Sequence, residues 1–169
     1  MSKSTISIRF GCPDDAALIA QFLCDLAAHD GEAETCKMTA SGVLKWGFGA
    51  DRRFEVLIAS DVGQPVGMAL IFPIFSTWDA KPGLFVNDLY VADSGRGKGI
   101  GRRLLAEVAA LALRRGCGRV EWHVLHHADA VTFYEAMGGK KVEEFLSYRL
   151  ADDRLTQLAQ WAGPAPTED

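Results

Sequence analysis

Apolar and polar side chains alternate over Ile6–Phe10 (ISIRF), which predicts a strand. Pro13 suits the first turn of a helix, where Asp14 and Asp15 meet the positive end of its dipole. Leu18, Ile19, Phe22, Leu23 and Leu26 recur at helical spacing, so an amphipathic helix is expected over residues 13–29. An acidic connector, HDGEAE, follows, and a second short helix is expected from Thr39 to about Trp46. FEVLIAS and PVGMALIFPIF read as strands joined by a turn at DVGQ. The loop STWDAKPG leads into LFVNDLYV, an apolar run with one polar pair that suits a buried strand. Ile100, Leu104, Leu105, Val108 and Ala112 mark another helix, with Arg114 and Arg115 in its last turn and Gly116 as its stop. RVEWHV is a further strand, and ADAVTFYEAMGG a further helix ending on Gly138 and Gly139. A final strand is expected over Glu144–Arg149, then a short C-terminal helix and a frayed tail, GPAPTED. The order β-α-α-β-β-β-α-β-α-β belongs to an α/β domain with a mixed sheet, not to a regular βαβ repeat.

Composition narrows the picture without changing it. With 169 residues, 49% of them hydrophobic, the chain has the size of one domain and can bury an ordinary core. No repeat or low-complexity tract divides it, so residues 1–162 read as one domain and 163–169 as the tail. A net charge of −4, from 18 basic and 22 acidic side chains, leaves no basic excess for a nucleic-acid partner. The apolar runs fall far short of a membrane span, and the polar start has no signal-peptide core. Cys12, Cys24, Cys36 and Cys117 lie apart with no CxxC pair. That spacing predicts reduced thiols in a cytoplasmic protein, with neither a zinc site nor a redox motif.

The candidate chemistry begins at Tyr90–Leu105, YVADSGRGKGIGRRLL, where Gly95, Gly97, Gly99 and Gly101 precede a helix. A dinucleotide fingerprint needs G-x-G-x-x-G, but the sixth positions from Gly95, Gly97 and Gly99 are Ile100, Arg102 and Leu104. A Walker loop needs Ser or Thr after Gly-Lys, and Gly97-Lys98 is followed by Gly99. What remains is Arg96-Gly97-Lys98-Gly99-Ile100-Gly101, which resembles the R/Q-x-x-G-x-G/A pyrophosphate loop of the GNAT acetyltransferase superfamily. In such a loop successive backbone N–H groups form a nest for the anion, and the helix N-terminus adds partial positive charge. Gly99 and Gly101 let the backbone approach a ligand, and Arg96, Lys98 and Arg102 add charge or are merely solvated. A flexible glycine turn before an ordinary helix is the plain alternative.

The resemblance covers Ile6 to about Leu158 and is closest to the spermidine/spermine and thialysine N-acetyltransferase branch. It is carried by GFG at Gly47–Gly49, Trp78, NDLYV at Asn87–Val91, the RGKGIG loop, Gly116-Cys117 and FYEAMGG at Phe133–Gly139. It implies a single α/β domain whose mixed, mostly antiparallel central sheet is flanked by helices. It further implies acetyl-CoA as co-substrate, no metal, a small amine acceptor and direct transfer in a ternary complex. The branch forms homodimers, to which the expected strand near Phe145–Leu150 is a candidate contributor.

Residue by residue, the resemblance puts the backbone groups that receive the pantetheine arm and polarise the acetyl carbonyl at Leu89, Tyr90 and Val91. Tyr134 matches the general acid toward the coenzyme A sulfur, although a helix tyrosine also simply packs its ring. Asn87 stands where the branch carries a glutamate, and an amide cannot take the amine proton. Asp88 matches the family's acid and binds or deprotonates the amine, or else serves as a structural acceptor in its strand. Asp30, Glu32 and Glu34 lie where the branch receives a polycation, and also read as a solvated loop. Trp78 lines the substrate side of the cleft in the branch, against the alternative of a packed loop residue.

WHVLHHADAV departs from the branch, which has an asparagine for the pantetheine arm here. Counting back from Tyr134 gives that slot to His127, while counting forward from Trp122 leaves it to Ala128 or to nothing. His123, His126 and His127 have no obvious acidic or sulfur partner for a metal, and His126 or His127 is a candidate proton relay. Two other functions stay open on these departures: a coenzyme-A-binding regulatory module with little catalysis, and a protein N-acetyltransferase.

Overall fold

The computed structural model describes residues 6–125 and 128–163. The chain divides into two compact units, Met1–Ala130 and Val131–Asp169. The first holds β1 (Ile6–Phe10), α1 (Ala16–His29), α2 (Ala40–Val43), β2 (Glu55–Asp61), β3 (Gln64–Ser76), β4 (Lys81–Val91), α3 (Ile100–Arg114) and β5 (Arg119–Trp122). The strands form one sheet in the order β1-β2-β3-β4-β5. The first four are antiparallel to one another, and β5 joins β4 in parallel after the α3 crossover. The mixed, mostly antiparallel sheet expected from the sequence is therefore present.

Local sequence explains most of the boundaries. Pro13–Asp15 form a 3-10 turn that feeds α1, so the expected helix starts with a tighter turn than its periodicity shows. Thr39 caps α2 by accepting from the Gly42 N–H at 3.1 Å, and a π-helical turn over Leu44–Phe48 carries the chain on. Val62 and Gly63, both with positive φ (49° and 79°), make the tight turn between β2 and β3. α1 buries Ile19 and Phe22 against Val56 and Ile58 of β2, Met68 and Leu70 of β3, and Tyr90 of β4. By strand alternation Leu57, Ala59, Ala69 and Ile71 face the other way, and they too are buried. α3 packs on β3 and β4 with Ile100, Leu104 and Val108 fully inside. A sheet covered on both faces is why the central strands read as nearly continuous apolar runs. No described helix is long and apolar enough to cross a membrane.

β1 is tied to the start of α1 by a bidentate ion pair. Arg9 Nη1 and Nη2 donate to Asp15 at 2.7 and 2.8 Å, and the Cys12 N–H donates to the same carboxylate at 2.8 Å. The Arg9 hydrogen bonds hold the Asp15 carboxyl well below the usual carboxylate range; burial opposes them and the Cys12 N–H assists. A depressed carboxylate pKa adds stability that is complete above the ordinary aspartate value of about 3.9 and lost as pH falls below it. Arg9→Ala is expected to cost about 1–2 kcal/mol at neutral pH, because the buried acceptor loses two of its donors. The penalty should shrink in melts carried out below about pH 4.

Cys24 and Cys36 form a disulfide, with Cα atoms 5.4 Å apart. This corrects the expectation of four reduced thiols; Cys12 and Cys117 are free. The pair is separated by 12 positions, so no short motif announces it. The chain turns back after α1 and returns past that helix, bringing the two positions within bridging distance. Because a bridged pair is favoured by oxidising conditions, cysteine spacing alone does not lead to a reducing compartment.

α4 (Ala128–Ala136) begins in the first unit and ends in the second, where α5 (Asp152–Ala159) follows. α4 ends at Gly138 (φ 87°), with the Met137 and Gly139 N–H groups on the Tyr134 carbonyl. The strand expected over Glu144–Arg149 is absent: residues 139–151 form neither helix nor strand. Its apolar side chains, Phe145, Leu146 and Tyr148, are exposed. A strand needs a neighbour for its backbone groups, and the described elements of this unit are helices.

Candidate active site

The glycine stretch lies between the end of β4 and the start of α3. A 3-10 turn at Asp93–Gly95 leads into the loop, and Gly99 is the N-cap of α3. Gly97 and Gly99 take left-handed conformations, φ 74° and 75°, which explains why glycine stands at both. A Cβ built at either would meet nothing within 4 Å, so the space in front of the loop is open. No side chain caps the N-terminus of α3, whose first N–H groups therefore keep their capacity to bind an anion. Ile100 is buried and anchors the helix start, while Gly97, Lys98, Gly99 and Arg102 are exposed and Gly101 is half-buried. These features fit a pyrophosphate.

Two of the loop cations have partners within the protein. Arg96 Nε donates to the Val91 carbonyl at 3.3 Å, Nη1 pairs with Asp93 at 3.1 Å, and Nη2 lies 3.4 Å from His29 Nδ1 at the end of α1. Lys98 Nζ pairs with Asp61 Oδ2, at the end of β2, at 2.9 Å. Arg96 thus stitches the loop to both β4 and α1.

The β4–β5 ladder runs from Gly83 with Arg119 to Val86 with Trp122. Beyond Val86, the backbone of Leu89, Tyr90 and Val91 lies outside that ladder and, among the described residues, pairs with β3 alone. The β3–β4 register also shifts here: Ile71 pairs with Val86 and Leu70 with Asp88, leaving Asn87 as the extra residue of a bulge. Asn87 Nδ2 donates to Asp88 Oδ2 at 2.8 Å. Burial pushes the Asp88 carboxyl up, the Asn87 hydrogen bond pulls it down, and the charge of Asp30 pushes it up again. Asp30 is the C-cap of α1, from where its charge acts on Asp88.

Other residues proposed from sequence are spread more widely. Glu32 and Glu34 are exposed around the 3-10 turn Ala33–Thr35, between the two bridged cysteines. Trp78 is 89% exposed in the β3–β4 turn, on the order of 20 Å along the strand from Asp88. His123 packs edge-on against Phe85, with ring centroids 4.9 Å apart. His126 and His127 lie outside the described residues. Tyr134 is half-buried in α4, its ring edge-on to Phe133 at 5.1 Å. Among the described residues no group of three or more His, Cys, Asp or Glu side chains could hold a metal.

Asp25 belongs to no motif that marks it in the sequence. It accepts from Gln21 Nε2 at 2.7 Å and faces the Tyr90 phenol, whose pKa is raised first by burial and then by the charges of Asp25 and Asp93. Helical spacing puts Asp25 on the face of Phe22, but only the packing of α1 on β4 shows that this face meets Tyr90, with the Phe22 and Tyr90 ring centroids 5.3 Å apart.

This strand-loop-helix junction has counterparts among known proteins. Residues 20–139 match the Acetyltransferase (GNAT) family. The chain is 29% identical over 164 residues to the thialysine N-epsilon-acetyltransferase of Mus musculus, covering 90% of this chain and 96% of that protein. It is 39% identical over 93 residues to an L-ornithine N5-acetyltransferase of Arabidopsis thaliana, covering 54% and 41%. A solved integron cassette protein from the mobile metagenome of V. cholerae has the same fold, with a TM-score of 0.80 over 94% of this chain and 99% of that one at 21% identity. The chain belongs to the GNAT family and is an N-acetyltransferase.

Proposed function

We propose that this acetyltransferase takes its acetyl group from acetyl-CoA and passes it directly, in a ternary complex, to a primary amine of a small basic substrate. The acceptor is a diamine, a polyamine or a basic amino acid. The observation that carries the donor is the β4–α3 junction, with Gly97 and Gly99 left-handed, open and exposed ahead of an uncapped helix N-terminus. Arg96 to Arg102 would hold the pyrophosphate. The backbone of Leu89, Tyr90 and Val91, outside the β5 ladder, would receive the pantetheine arm and polarise the acetyl carbonyl.

The acceptor class is supported by relatives named for thialysine and ornithine, and by the negative charge of Asp30 acting on Asp88. An alkylammonium has a pKa near ~10 and must lose a proton before it can attack. Asp88 is the group assigned to that step, with Tyr134 as the acid toward the departing thiolate. Asp30, Glu32 and Glu34 attract a second ammonium of the substrate, Trp78 and Asn87 complete the proposed substrate contacts, and His127 takes the slot that contacts the pantetheine arm. The working unit is a homodimer in which residues 1–162 form the catalytic domain and the segment around Phe145–Leu150 contributes to the contact. Its proposed location is the cytoplasm.

Free thiol should appear when the protein is mixed with acetyl-CoA and a panel of diamines, polyamines, lysine and ornithine. Tight coenzyme binding with no thiol released by any amine would sink the reading. Strong activity on peptides beside weak activity on small amines would move the acceptor to protein.

A further inference from the structure

We propose that Asn87 is a positioning residue for the acceptor chemistry, its amide holding the Asp88 carboxylate in a fixed orientation. The proposal rests on the reading of Asp88 as the group that receives the amine proton. In a regular strand, neighbouring side chains point to opposite faces, so an Asn and an Asp at adjacent positions do not meet. β4 is not regular at this point. Leu70 pairs with Asp88 and Ile71 with Val86, so Asn87 is the inserted residue of a bulge. A bulge re-aims side chains, and here it lets Asn87 Nδ2 donate to Asp88 Oδ2 at 2.8 Å. The bulge and the hydrogen bond are thus one device.

The surroundings show why Asp88 needs such a donor. β3 presents apolar Leu70 opposite it, the end of α1 presents the charge of Asp30, and β4 itself presents Asn87. Burial and Asp30 both work against ionisation, and among the described residues the Asn87 amide works for it. A second carboxylate at position 87 would add to the repulsion. The amide removes one conceivable base and leaves the other better able to remain charged at neutral pH. The proton passes from the substrate ammonium to an Asp88 oxygen, the freed nitrogen lone pair forms the bond to the acetyl carbon, and the thioester C–S bond breaks as the coenzyme A thiolate leaves and is protonated.

The test is a titration of the Asp88 carboxyl in protein carrying 13C-labelled aspartate, with Asp88→Asn used to identify the resonance. Asp88 should titrate at higher pH in Asn87→Ala than in the unaltered chain, and higher again in Asn87→Asp, with Asn87→Gln closest to the unaltered chain. The acid limb of kcat/KM should move in the same order. Below that limb Asn87→Asp should lose about tenfold or more in kcat/KM and recover on the alkaline side. An unchanged Kd for acetyl-CoA reports that each variant is folded. An Asp88 titration that is the same in all variants, or a kinetic loss independent of pH, overturns the proposal. The titration needs no turnover. If the unaltered protein acetylates no amine, the functional reading falls, while the order of the titrations still decides whether Asn87 holds Asp88.

Discussion

Tyr134→Phe is expected to lower kcat for amine acetylation by about 10²–10⁴-fold while leaving the Kd for acetyl-CoA close to its original value. The thiolate that leaves acetyl-CoA has to receive a proton. A phenol with a pKa near ~10 beside a thiol near ~8.5 makes that transfer close to balanced, so placement matters more than tuning of the phenol. Phenylalanine keeps the ring that stands edge-on to Phe133 at 5.1 Å and removes only the hydroxyl, so α4 should be preserved. The measurement is thiol release at saturating acetyl-CoA and amine, with coenzyme affinity determined separately. Unaltered turnover would reduce Tyr134 to a packing residue, with the proton coming from water. It would also revive the picture of a coenzyme-binding module in which this side chain has no chemical task.

Gly99→Val is the second large effect, and it should fall on Kd. Gly99 is the N-cap of α3 with φ 75°, a conformation in which a β-branched residue is strongly disfavoured. Holding valine there should cost about 1–2 kcal/mol of stability. Relieving the strain would turn the first N–H groups of α3 away from their present direction. A Cβ at this position meets no protein atom within 4 Å, so in the free protein the effect is on backbone conformation and not on packing. With the pyrophosphate bound, the added side chain would stand in the space through which the backbone approaches the ligand. Together these should raise the acetyl-CoA Kd by about 10²-fold, with a smaller rise for Gly99→Ala. Calorimetric titration with coenzyme A separates this loss of affinity from the drop in melting temperature. An unchanged affinity would place the pyrophosphate somewhere other than the start of α3.

The regular elements of the first unit could be read from the sequence because each carries a local period. Leu18 to Leu26 show helical spacing, ISIRF shows alternation, and β2, β3 and β4 show the apolar runs of a sheet buried on both faces. The glycine spacing singled out the loop for the same reason, since a left-handed N-cap leaves its mark on the residue that occupies it. Glu144–Arg149 misled because apolar residues satisfy only half of what a strand needs. The backbone ladder depends on a neighbour, and a local pattern does not show whether one exists.

By itself the sequence determined the order of helices and strands up to Trp122, the exclusion of two other phosphate motifs, and the membership in an acetyltransferase family. All of these depend on periods and spacings of a few residues. The tertiary structure alone decided that Cys24 meets Cys36, that Arg96 ties the loop to α1, and that Asp25 faces Tyr90. It also decided that the departure at Asn87 sits on a bulge and bonds its neighbour. Each is a contact set by where the chain returns or where a ladder slips by one residue. Contacts of that kind arise from packing the whole sheet and its helices together, and no short stretch of residues encodes them.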